Sequence, residues 1–254
     1  MTNNSMEDGS LLVDFILGGI FAMLIYHVKL YYFNREKLLF QYNLYLFFTY
    51  LLVFIFSDVF YFFVGNDPFF YYQGRLKETF QILYLTFYYN FILKSLEIEK
   101  NSAINKIWKY FFLSLIIYAV IFLIYSLFWA DEKSTKTIPF IISRLSMFVI
   151  SLILLKKCYE LRNFTFQKYI LYGSTVYFFF GILAFVCSMR NKSLLGIRDV
   201  EWLFVGAIVD IIFFGLAISY RNRLKLEASL KIKILLDLEK TNNNQLTSQP
   251  LKIF

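Results

Sequence analysis

Charge is scarce in this chain: 17% of its 254 residues are Asp, Glu, Lys or Arg. Histidine (one), cysteine (two) and proline (three) are scarcer still. A water-soluble domain needs polar residues to cover its outside, so the shortage excludes an ordinary soluble fold. With His27 as the lone histidine, and with no C-x-x-C or H-E-x-x-H pattern, no metal site is expected. A P-loop and a G-x-S-x-G elbow are also missing. No enzymatic activity, catalytic residue or cofactor is therefore expected. His27 lies beside Lys29 near the end of an apolar run and reads as an interfacial anchor. Cys158 and Cys187 fall at opposite ends of two such runs. A hydrocarbon layer about 30 Å thick would separate them, whereas a disulfide needs Cα atoms roughly 5.5 Å apart. The first ten residues carry no Lys or Arg, so the chain does not open on the basic region of a signal peptide, and the first apolar run is expected to remain as a span.

What the chain has in abundance is apolar surface, with 59% hydrophobic and 22% aromatic residues. Runs long enough to cross a bilayer, about 20 residues at 1.5 Å rise, occupy 11–33, 38–64, 76–96, 107–130, 138–157, 164–189 and 200–220. The expected fold is an all-α integral membrane bundle of seven helices. A short amino end (1–10) precedes the helical domain (11–220); a cytoplasmic exit helix (221–241) and a polar tail expected to be disordered (242–254) follow it.

Sidedness follows from the loops. Lys29, Arg35 and Lys37, then Lys94, Lys100, Lys106 and Lys109, then Lys156, Lys157, Arg162 and Lys168 share one side with the carboxyl tail. That side holds 18 of the 26 basic residues, which places it in the cytoplasm and the amino end outside. The net charge of +8 thus has a home at the anionic inner leaflet, and nucleic acid is not an expected partner. The location expected is the inner (plasma) membrane, multi-pass, with the bilayer as the first partner.

Ionisable residues within apolar runs are costly, by about 2.5–3.5 kcal/mol on insertion scales, and mark functional sites or buried pairs. Asp14, Asp58, Glu78, Arg144 and Asp210 are such residues. Arg144 is expected to face the bundle and pair with Asp58, Glu78 or Asp210, either to fix packing or to meet an anionic ligand. Beyond the last run, Leu226, Leu230, Ile234 and Leu238 form one apolar row and Leu224, Ala228 and Ile232 a second on nearly the opposite face. This is a poor heptad, compatible with a coiled-coil partner or with a helix lying along the inner surface. Tyr220, Arg221 and Arg223 close the last run, and are read either as headgroup anchors or as the place where helix movement leaves the membrane.

The first two runs, LGGIFAMLIYHVKLYYFNREKLLFQYNLYLFF, resemble the opening of bacterial seven-transmembrane receptors with diverse intracellular signalling modules. The similarity rests on a glycine-containing first helix, a short basic turn (Asn34-Arg35-Glu36-Lys37) and a Tyr-rich second helix with Tyr42 and Tyr45. The last run, EWLFVGAIVDIIFFGLAISYRNRLKLE, resembles the same family's exit segment at Glu201, Gly206, Asp210, Tyr220, Arg221 and Arg223. The acid there is commonly glutamate, so Asp210 is a departure. The resemblance covers 11–227 and implies a sensor unit that binds a small ligand of unknown identity and signals to a separate cytoplasmic protein, or is joined to one, alone or as a homodimer. A small-solute or ion transporter is the alternative, although paired Gly/Pro breaks in the helices, the usual sign of a transporter site, are missing.

Overall fold

The computed structural model describes residues 11–57, 59–60, 69–96, 103–128, 138–162, 164–190 and 197–247. They form seven helices and no strand: α1 (Leu11–Asn34), α2 (Lys37–Phe56), α3 (Phe69–Ser95), α4 (Ala103–Phe128), α5 (Ile138–Glu160), α6 (Thr165–Arg190) and α7 (Asp199–Thr247). Among the described residues, α1, α2, α4, α6 and α7 are long and apolar enough to cross a membrane. With five such helices the chain is a multi-pass membrane protein. In α3 the apolar stretch is interrupted by Lys77 and Glu78, which lower its hydropathy.

Two boundaries differ from the pattern of apolar runs. Helix α2 stops at Phe56, where Ser57 adopts an extended conformation and returns its backbone N–H to the Phe54 carbonyl. Helix α3 begins at Phe69 and so takes in polar residues that precede the run at 76–96. At the carboxyl side the last span runs unbroken into the exit segment; α7 is a single helix of 49 residues whose end at Thr247 lies beyond the expected end of the exit helix at 241. At 1.5 Å per residue it measures about 73 Å, of which roughly 40 Å lies beyond Tyr220.

Packing sorts the helices into two groups. The most extensive contact is α6 with α7; α1–α2, α2–α3 and α3–α4 also pack closely, and α5 leans on α6. Between these groups, α1 meets α7 as extensively as α5 meets α6, whereas contacts of α2 with α7 and of α3 with α5 and α6 are sparser. The line along which α1–α4 meet α5–α7 is a seam. Within the second group, small residues bring the backbones together, as is usual between membrane helices. A Cβ at Gly206 of α7 would come within 2.7 Å of Phe180 on α6, and one at Gly173 of α6 would come within 2.7 Å of Asp210 on α7.

The turn between α1 and α2 has a defined geometry. Arg35 takes a left-handed φ of 49°, and its N–H reaches the Tyr31 carbonyl at 2.7 Å, which closes the end of α1 as an αL cap. Helix α7 starts with the carboxylate half of a capping box: Glu201 accepts from the Arg198 backbone N–H at 2.9 Å and from the Arg198 side chain at 2.7 Å.

His27 does not sit at the interface as its position beside Lys29 suggests. It is 1% exposed, edge-on to Tyr26 and Tyr42 and close to Gly215 of α7. The lack of a side chain at Gly215 lets α7 approach α1, so the imidazole becomes part of the helix contact. Cys158 and Cys187 are both free and buried.

Candidate functional site

The centre of the seam is a buried carboxyl group surrounded by aromatic rings. Asp210 is fully buried on α7, about 15 Å from either end of the 200–220 stretch. Tyr45, on α2, is also fully buried and donates its hydroxyl to Asp210 Oδ2 at 2.9 Å. One turn of α2 toward the Lys37 end, Tyr42 donates to the Ile211 carbonyl at 2.9 Å. The spacing of three residues puts both tyrosines on one helix face, which is why two hydroxyls reach adjacent positions of α7.

Helix α3 contributes a second row. Tyr84 and Tyr88 are spaced four apart and lie on the seam side, with Tyr88 5.0 Å and Tyr84 6.0 Å, ring to ring, from Tyr177 on α6. Tyr89 donates to the Met147 carbonyl of α5 at 2.9 Å and lies 2.7 Å from Ser151 Oγ. Phe214, one turn beyond Asp210, stacks with Tyr88 and packs on Phe91 and Tyr45. Tyrosine hydroxyls from α2 and α3 are thus the fasteners across the seam. Each ring supplies apolar contact, and the hydroxyls of Tyr42, Tyr45 and Tyr89 find partners in the bundle, where an unpaired one is costly.

Asp210 is only half satisfied. Its Oδ1 has no hydrogen-bond partner among the described residues and lies against Gly173 of α6. Nearby, Tyr88, Tyr89, Ser151, Cys158, Ser174 and Tyr177 contribute to the lining of a small cavity of about 10 Å³, which is near the minimum for one water.

Of the ionisable residues singled out in the sequence, Asp210 is the one the structure places at the centre, and a tyrosine meets it. Glu78 is half-buried early in α3, about 9 Å along the helix from Tyr84 and about 15 Å from Tyr88. Asp58 and the Arg144 side chain lie outside the described residues. The exit residues are gathered at the membrane edge: Tyr220 packs on Tyr169 of α6, Arg221 lies over the Phe166 ring, and Arg223 pairs with Glu227 at 2.9 Å. Four residues beyond Arg221, Lys225 reaches Glu36 in the α1–α2 turn at 2.6 Å. Tyr84, Tyr88, Tyr89, Tyr177 and Gly173 escape a search for charges and motifs. The signal that could have found the first two is tyrosine at helical spacing inside an apolar run.

A family model described as 7TM diverse intracellular signalling matches residues 10–221. The chain belongs to this family. The match runs from the start of α1 through the Asp210 cluster to Arg221, so the seam and its tyrosines lie wholly inside the family's membrane domain. No curated protein and no solved structure matches the chain. Membership makes it a membrane domain of the receptor or sensor kind.

Proposed function

We propose that this family member is a bacterial inner-membrane sensor unit, without catalysis of its own. A stimulus from outside or within the membrane is passed to a cytoplasmic output protein by movement of α7. The observation that carries the reading is the continuity of α7: the helix that holds Asp210 at the seam is the same rigid body that leaves the membrane. A small ligand or a change in the bilayer that favours one arrangement of the tyrosine fasteners shifts α6 and α7 against α1–α4, and the exit helix follows. A ligand can do this only by binding the two arrangements unequally. A separate signalling protein, or a second copy of the chain, would read the movement at the exposed part of α7.

Spin labels can test this in nanodiscs, because both native cysteines are buried. With labels at Lys37→Cys on α2 and Leu230→Cys on the exit helix, the distance distribution should show two populations, and Asp210→Asn should change their ratio. One narrow distance in both proteins would overturn the proposal. Two glycines inserted after Arg223 should leave expression intact and abolish the response at Leu230 to Asp210→Asn.

The orientation proposed, amino end outside and seven crossings, has its own check. A cysteine at Asn242 should resist an impermeant reagent in intact cells and react after lysis. Labelling in intact cells would put the carboxyl side outside and reject the topology.

The buried acid also favours a second reading, a solute or ion carrier, since such residues line transport paths. Flux into liposomes that Asp210→Asn abolishes would select the carrier.

A further inference from the structure

The face of α1 that points away from the bundle forms an apolar furrow lined by Leu24, Ile25, Val28, Lys29, Tyr32 and Phe33. Its one charged wall residue, Lys29, is exposed and has no ion-pair partner among the described residues. Lys29 lies five residues before the end of α1, about 7.5 Å along the axis. Its aliphatic stem can therefore run in the furrow while the ammonium reaches the phosphate level. Tyr32 and Phe33, 71% and 70% exposed, continue the furrow to the helix end as interfacial aromatics do. Just beyond them, Arg35 is exposed and held in place by the left-handed cap, whereas the neighbouring acid, Glu36, is already engaged by Lys225. Two exposed cations, Lys29 and Arg35, thus stand near this end of α1, and the acid of the turn, Glu36, is occupied elsewhere.

We infer that this furrow is a binding site for an anionic glycerophospholipid, one acyl chain lying along Leu24, Ile25 and Val28 and the phosphate held between Lys29 and Arg35. Lipid covers the other outward faces as well, but on α1 a charge of defined position adds headgroup selectivity to apolar contact. Because Glu36 of the same turn pairs with α7, the occupied site abuts the point where the exit helix leaves the bundle.

A bimane label at Tyr32→Cys reports the occupant, since Cys158 and Cys187 are buried. In nanodiscs, brominated phosphatidylglycerol should quench it in preference to brominated phosphatidylcholine at equal mole fraction, by about fivefold per engaged cation. Lys29→Gln with Arg35→Gln should bring the two lipids to parity, while Lys29→Arg should keep the preference. High salt on the label-bearing protein with both cations intact should also erase it, which checks the site even if the double variant folds poorly. Equal quenching by the two lipids at low salt, or a preference that survives both neutralisation and salt, would overturn the inference and leave an ordinary lipid annulus.

Discussion

Gly173→Val should lower the thermal stability of the purified protein by about 1–3 kcal/mol, the usual cost of forcing volume into a packed contact. A Cβ there would meet Asp210 Oδ1 at 2.7 Å, Phe213 Cβ at 3.0 Å and Phe214 at 3.1 Å, and valine adds two methyls to the clash. Both phenylalanines belong to α7, and Phe214 is wedged against Tyr45, Tyr88 and Phe91, so relief has to come from moving α6 off α7. Gly181, on the same helix, provides the comparison. A Cβ there meets nothing within 4 Å, and Gly181→Val should stay within about 0.5 kcal/mol of the native protein. Equal stability of the two variants, measured by thermal unfolding in the same detergent, would show that α6 and α7 are not held as closely as Gly173 indicates.

The second large effect concerns function. Asp210→Leu should abolish the two-population behaviour of the exit helix while leaving the protein folded. The acid has one hydrogen bond, from Tyr45, and an Oδ1 with no partner among the described residues. The substitution removes the unpartnered Oδ1 but orphans the Tyr45 hydroxyl, at about 1–3 kcal/mol, whereas replacing both members of a buried pair by apolar groups is nearly neutral. Tyr45→Phe, by contrast, keeps the acid and removes its donor, and should cost about 0.6–1.7 kcal/mol, the range found for hydrogen bonds between membrane helices. The double variant Tyr45→Phe with Asp210→Leu should be no less stable than Asp210→Leu alone. If Asp210→Leu unfolds the bundle, the acid is a structural keystone. If it is stable and both populations persist, Asp210 is not part of the switch.

The helices were legible in this sequence because each is an apolar run bounded by charge or turn residues, and hydrocarbon permits few other ways to satisfy a backbone. Asp210 was legible for the same reason, since a carboxylate inside such a run has to be accommodated. Its partner was not. Tyr45 is 165 positions away, and in a chain with 20 tyrosines nothing local distinguishes the one that reaches α7. The reading of His27 went wrong through proximity along the chain: a place beside Lys29 near the end of an apolar run suggests an interface, yet the side chain turns inward and meets the gap at Gly215. The exit past Tyr220 was legible as well, because α7 has no Gly or Pro from Leu216 to Thr247 to end it and the helix continues beyond the point where hydropathy falls.

That continuity has a mechanical meaning. The ion pair between Glu36 and Lys225 is the last contact described between α7 and the rest of the bundle, and so acts as a fulcrum. From there to Thr247 the helix extends about 33 Å. A tilt of roughly 10° about that point, too small to open the seam by more than a side-chain width, would swing the far end by about 6 Å over the same helical length. Rotation about the axis would be transmitted without gain, so a lever and a shaft leave different traces: displacement that grows with distance from Lys225 marks the first, and an equal angular change at every exposed position marks the second.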